Sequence, residues 1–237
     1  MRHLIALILA SVLAIQARAE EIPIFDAHLH YNAEAQNAYP LPQVLELFRR
    51  NGVRGILANS RPNDGSWRLH GARSEALWVV PFMRPYRTRA DIQTWFRDPE
   101  VFALIESELQ RARYFGIGEF HLHGHDARHA QVKRIVDLAV ARDLWLHAHS
   151  DIEAVEALYT HNRQAKVIWA HTGFSTPVDV VQRLLLQHPT LMAELSYRSG
   201  IVEGDRAIEL RQCHSRRPRL RRGDIHHEAI DRRLRDR

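Results

Sequence analysis

The chain has 237 residues, 45% of them hydrophobic and 26% charged, enough for one large domain or two small ones with a sizeable core. Its formal net charge of +5 sits entirely in residues 205–237, which hold eleven Arg, no Lys and six acidic residues; in the rest of the chain the charges cancel, so a nucleic-acid or anionic-surface reading rests on this segment alone. The single cysteine, Cys213, lies in the same segment, so nothing before it can form an internal disulfide.

The first residues read as a targeting segment. A short basic start, "MRH", precedes twelve apolar residues, "LIALILASVLAI" (4–15), and "ARA" (17–19) supplies small residues suited to signal cleavage. Twelve apolar residues are too few to span a bilayer, so a removed signal peptide over 1–19 is predicted rather than an anchor. The mature chain is then exported, to the periplasm or beyond, with no membrane span. An exported chain without disulfides has to be stable by its core alone.

Seven β-rich segments follow: "IPIFDAH" (22–28), "VRGILAN" (53–59), "LWVVPFM" (77–83), "GIGEFHL" (116–122), "LWLHAH" (144–149), "KVIWAH" (166–171) and "TLMAELS" (190–196). Most are near-continuous apolar runs, as expected of parallel strands covered on both faces. Helical patterns lie between most of them, at 42–52, 99–116, 127–143, 151–162 and 177–189. Residues 61–75, "RPNDGSWRLHGARSE", read as a polar loop. Strand–helix alternation predicts an α/β fold with a parallel sheet. The glycine-rich turn of a dinucleotide site is missing after the first strand, and polar residues gather where strands end. Both features favour a TIM-barrel, (β/α)8 type of fold, with about seven βα units over residues 20–204.

Sixteen histidines are present, and their positions matter more than their number. His28 and His30 close the first strand, Glu119 and His121 lie in the fourth, His147 and His149 close the fifth, and His171 closes the sixth. Residues two apart on a strand share a face, so strand-end imidazoles and a carboxylate can converge on one point. Neutral imidazole and carboxylate are ligands for zinc first, and for manganese, nickel or iron. A lone histidine of this kind is more simply a hydrogen-bonded core or surface residue; five such groups at equivalent strand ends predict a metal site. Trp145 and Trp169 read as packing residues, Asp151 as a helix cap, and "HLHGHD" (121–126) as a loop of solvated or ligating histidines.

With "FDAHLH", "GIGEFH", "LHAH" and "WAHTGFS" in that order, the chain resembles the amidohydrolase superfamily of metal-dependent barrel hydrolases, in its amidohydrolase-related and TatD-like branches, over roughly residues 22–200. The resemblance implies that His28 and His30 bind the more buried ion, that Glu119 takes the bridging position, and that His147 and His171 hold a second ion or complete a mononuclear site. His121 and His149 are then substrate-binding or supporting groups. It further implies cleavage of an amide, ester, lactone or phosphate ester bond in a small-molecule substrate. The proton acceptor of such enzymes, an aspartate ending an eighth strand, has no convincing counterpart.

After "LMAELSYRSG" the composition shifts abruptly. The segment from 205 is one third arginine and has no apolar run long enough for a strand. It is expected to be translated out of frame or disordered, which would leave the barrel one unit short and the chain weakly active or inactive. A basic segment with "SRRPRLRR" (215–222) at its centre, binding nucleic acid or anionic lipid, is the lesser alternative.

Overall fold

A computed structural model describes residues 23–198, with 202–203 and 206–207. The signal peptide expected at 1–19 and all of the arginine-rich segment except Arg206–Ala207 lie outside the described residues.

Seven parallel strands form one sheet in the order of the chain: β1 (Ile24–Leu29), β2 (Val53–Ser60), β3 (Trp78–Met83), β4 (Gly116–Leu122), β5 (Trp145–Ser150), β6 (Lys166–Trp169) and β7 (Leu191–Ala193). Helices α1 (Ala33–Ala38) and α2 (Leu41–Arg50) connect β1 to β2, and α3 (Asp64–Gly71) connects β2 to β3. Then α4 (Pro99–Arg111), α5 (Ala130–Ala141), α6 (Ile152–His161) and α7 (Val178–Gln187) each precede the next strand. The polar stretch 61–75, expected to be a loop, contains α3: Leu69 is fully buried on it, and Ser66 Oγ donates to the Phe82 carbonyl. The buried face of α3 is Gly65, Ser66 and Leu69, so the segment prints no apolar stripe of helical spacing. Elsewhere the helix ends follow local chemistry. Asp98 caps α4 by accepting from Glu100 N, with Pro99 in the first turn, and Asp151 caps α6 by accepting from Ala154 N at 2.8 Å.

This strand order dictates the shape. Each crossover advances one strand in the same direction, and right-handed crossovers then put every helix on one face. The opposite face has no helices to cover it and must curl onto itself. A flat sheet of seven strands would be about 29 Å across at ~4.8 Å per spacing. Yet His28 of β1 lies 3.0 Å from Glu194, the residue after β7. The sheet is therefore a curled half-barrel, compatible with a TIM-barrel-like fold. Strands β8 (Val202–Glu203) and β9 (Arg206–Ala207) pair with each other, antiparallel, and not with this sheet.

Side-chain alternation divides the two faces. Ile56 and Ala58 of β2 pack with Phe48 and Leu69 on the helical side, and Leu146 and Ala148 of β5 pack with Val132, Ile135 and Val136. Asn59, His147 and His149 consequently face the interior. Trp169 is fully buried in the larger core cluster, as expected of a packing residue, while Trp145 is only partly buried.

Candidate metal centre

The interior face carries little apolar surface at the C-terminal ends of the strands, because imidazoles and carboxylates occupy it. His28 lies in β1 and His30 just after it; Glu119 and His121 lie in β4, His147 and His149 in β5, and His171 in the turn after β6. All seven residues singled out from the sequence reach one region. They differ in depth: His147 is 0% exposed, the side chains of His28 and Glu119 are buried, and those of His149 and His30 keep 19% and 31% of their surface towards the mouth.

Glu119 is brought inward by a register shift. Gly118 pairs with His147 and Phe120 with Ala148, so one extra residue stands in β4 against β5. Gly118 has φ +134°, and a Cβ there would meet the His147 carbonyl oxygen at 2.2 Å, so no other residue fits.

The carboxylate of Glu119 is surrounded. Its Oε1 lies 2.8 Å from His149 Nδ1 and 3.5 Å from both His28 Nε2 and His171 Nε2, and its Oε2 lies 3.0 Å from His30 Nε2 and 3.1 Å from Arg84 Nη2. Arg84 also donates from Nε to the Glu119 carbonyl at 3.0 Å, and is itself buried. Burial alone would raise the Glu119 pKa. Hydrogen bonds from His149, His171, His28 and His30 override it and hold the carboxyl well below the usual carboxylate range.

The outer nitrogens of three of these imidazoles are taken. His30 Nδ1 lies 2.7 Å from the Asn59 carbonyl oxygen, and His171 Nδ1 lies 2.7 Å from that of Ser196. His28 Nδ1 lies 3.0 Å from Glu194 Oε2. Carbonyl and carboxylate oxygens only accept, so each Nδ1 carries a hydrogen; a protonated ring then also donates from Nε2 to Glu119, and a neutral one presents a bare lone pair at Nε2. Two such lone pairs, on His28 and His30, face each other at 3.2 Å. They repel unless a cation lies between them. Ligand atoms at 2.0–2.1 Å from a tetrahedral zinc are about 3.3 Å apart, so the spacing matches a shared ion.

Without an ion, a proton takes that place. Burial would lower the His28 pKa, but hydrogen bonds to Glu119 and Glu194 outweigh it and raise it to about 9. Deeper in, His147 Nε2 is buried without a hydrogen-bond partner, and burial, with the charge of His28 nearby, pushes that ring down to about 3. An orphaned imidazole nitrogen beside two opposed lone pairs fits a metal centre better than a polar core.

Three sets of side chains have ligand atoms close enough for an ion, and chemistry separates them. His28, His30 and Glu119 offer Nε2, Nε2 and a carboxylate, three ligands with room for a fourth. In the set His28, His171 and Glu194, the His171 Nδ1 near Glu194 already donates to Ser196, so these groups orient the first set instead. In the set Glu119, His121 and His149, the two rings stack at 4.1 Å with planes 29° apart. Lone pairs lie in the ring plane, so stacked rings do not converge on one ion. His121 Nδ1 is moreover 3.1 Å from Tyr86 Oη, whose oxygen accepts from His121 N at 2.6 Å. His171 reaches Glu119 from a different side from His30, and His147 lies beneath, its ring 4.6 Å from that of His28.

Glu194, Arg84 and Asn59 were not anticipated. Glu194 ends the β7 segment and Arg84 follows β3 directly, so the strand-end rule applied to the histidines would have found both. Asn59 had no signal beyond its place at the end of β2. Residues 171–174 run through four consecutive positive φ values, a strained turn at the site. Thr172 Oγ1 donates to the Glu194 carbonyl, and Arg198 donates to the carbonyls of Thr172, Phe174 and Thr176. A cleft of about 380 Å³ beside the mouth is lined by His123, Asp151, Glu153 and Phe174 among others, and the Phe174 ring lies 4.9 Å from His149 and 4.8 Å from His171.

Comparison with family models, with curated proteins and with solved structures finds no match to this chain.

Proposed function

We propose that this chain is a metal-dependent hydrolase of amidohydrolase type, holding a divalent ion, zinc first, on His28, His30 and Glu119. The observation that carries the reading is the pair of Nε2 lone pairs at 3.2 Å beside one ionised carboxylate. A divalent ion held there lowers the pKa of a water towards about 7 and polarises a carbonyl or phosphoryl oxygen. The protein's own groups prepare the place. Asn59, Ser196 and Glu194 fix three imidazoles in the ligating tautomer, and such outer partners tune affinity as strongly as the ligands do. Arg84 offsets the Glu119 charge from behind. His121 and His149 stand at the mouth, beside the cleft, where a small substrate enters.

A metal-holding chain without turnover is the second reading, because of the proton acceptor. Among the described residues at the centre the two carboxylates are Glu119 and Glu194, and both are tied to imidazoles. Burial would raise Glu194, but His28 and the backbone amides of His171 and Ser196 hold it down to about 2, too weak a base for water. Metal analysis of the purified chain tests the site: about one equivalent of tightly held ion is expected, and a metal-free chain that takes up none on addition refutes it. A panel of esters, lactones, amides and phosphate esters, with metal added back, separates the two readings. Hydrolysis that a chelator removes supports the first, and full metal occupancy without turnover supports the second.

A further inference from the structure

Two buried polar atoms near the centre have no partner, and they belong to neighbouring side chains. One is His147 Nε2 and the other is Asn59 Oδ1. Both residues are 0% exposed, and the Asn59 carboxamide meets His147 at Nδ1, with Nδ2 3.4 Å away. Asn59 therefore touches two imidazoles in different ways. Its main-chain carbonyl accepts from His30 Nδ1 at 2.7 Å, and its side chain faces His147 Nδ1.

A carboxamide's two ends have the same shape but opposite hydrogen-bonding character. With Nδ2 towards the ring, Nδ1 must accept and the hydrogen of His147 sits on Nε2, leaving a donor and an acceptor both buried and unmet. Each unmet group costs about 1–3 kcal/mol. With the carboxamide turned by half a rotation about its last bond, Oδ1 accepts from Nδ1–H and Nε2 presents a lone pair, which a cation can meet, while the Nδ2 hydrogens take the place that Oδ1 held. His30 and His171 have that state already, each through a carbonyl oxygen on Nδ1.

From this geometry we propose that Asn59 is a positioning residue for His147: its carboxamide oxygen selects the Nδ1–H tautomer, so that His147 Nε2, which lies outside the sets whose ligand atoms are all within 4.8 Å of one another, offers a lone pair and not a hydrogen beside His28 at the floor of the ion site. The inference rests on the metal reading above and extends it, because the same strand end sets His30 through its backbone and His147 through its side chain. A side-chain substitution at 59 leaves the His30 contact in place and isolates the second effect.

The test compares Asn59→Leu and Asn59→Asp with the wild-type full chain, using zinc alone as the probe. Zinc affinity is measured by chelator competition, and the His147 tautomer by long-range ¹H–¹⁵N correlation. Leu matches the shape without hydrogen bonding, and Asp can only accept. Asn59→Leu is expected to lose about tenfold to a hundredfold in zinc affinity, and Asn59→Asp to keep both the affinity and the Nδ1–H signature. A merely structural side chain would leave the tautomer where it was. Unchanged affinity and tautomer in Asn59→Leu overturn the proposal, as does an Nε2–H ring in Asn59→Asp, which decides the matter if the Leu variant does not fold. Should the wild-type chain take up no zinc, the metal reading fails by itself. The tautomer in metal-free protein then still decides Asn59: a ring state common to all three chains overturns it.

Discussion

At the scale of single residues, the metal centre proposed above implies a competition between protons and a cation for the same lone pairs. His30→Ala is the cleanest probe, since its ring is partly exposed and its loss leaves no buried charge unpaired; metal uptake should fall to background while the circular dichroism spectrum stays unchanged. Glu119→Gln does more, because it strips the anion from the buried Arg84 guanidinium 3.1 Å away. Breaking one side of a buried ion pair costs about 3–5 kcal/mol, so that variant should lose both metal and thermal stability. Stoichiometric metal retained in either variant refutes the assignment.

The same residues set a pH dependence whose signs differ. The His28 value of the folded chain, about 9, lies above the ordinary 6.5, so its stabilising contribution is complete below pH 6.5 and is lost as pH rises through 9. His147 runs the other way. Its folded value near 3 means the folded chain refuses a proton that the unfolded chain accepts below 6.5, and stability falls as pH drops from 6.5 towards 3. Glu194, held near 2, adds to the acid loss below the ordinary carboxylate value of 4.5. Thermal unfolding of metal-free protein should therefore peak near neutral pH and decline on both sides. Metal uptake must expel the His28 proton, so affinity should climb about tenfold per pH unit up to about pH 9. An affinity that is flat between pH 7 and 9 would show that His28 Nε2 is not a ligand.

At the scale of elements, β4 decides whether the histidines have a carboxylate to meet. The shift between Gly118 and Phe120 turns Glu119 inward without disturbing Leu122 or Leu146 on the helical face. Gly118→Ala would place a methyl group 2.2 Å from the His147 carbonyl oxygen at a φ that alanine resists. The cost should be about 3 kcal/mol, a fall in Tm of roughly 6–12 °C for a chain of this size, with metal affinity falling in step because β4 and β5 separate. Unchanged stability would mean that the strands relax more easily than their packing indicates. The strands were largely legible because buried parallel strands print continuous apolar runs: β4 matches its expected span, and the others shift by a few residues at their ends. The cluster of histidines with Glu119 was legible for a related reason, since histidine at the end of an apolar run is costly without a purpose. What stayed hidden had no such contrast. Helix α3 is polar on most of its surface, Glu194 read as one more strand residue, and Arg84 and Asn59 matter through partners far away in the chain, Glu119 35 residues from Arg84, and His30 and His147 29 and 88 residues from Asn59.

At the scale of the whole molecule, the curl that gathers the centre leaves the sheet with two outer strands. Among the described residues, β1 pairs only with β2 and β7 only with β6. Both carry apolar side chains on exposed surface: Ile24 is 48% exposed, Phe25 49% and Met192 52%. An unpaired strand offers a row of free backbone donors and acceptors, and natural edges are blunted by charge, most often lysine. Neither β1 nor β7 has a lysine. Self-association through these edges is therefore expected from micromolar concentrations upward. The double variant Ile24→Lys, Met192→Lys places a charge on each edge while leaving the strands' buried residues in place. Phe25 is kept because its ring packs against Gly55. Light scattering and sedimentation should show the wild-type chain growing in mass with concentration and the variant remaining monomeric, with zinc affinity equal in the two. Those two readouts separate the edge from the centre. If the wild-type chain is already monomeric throughout, β1 and β7 are covered, and the lysines should then destabilise the protein by displacing whatever covers them.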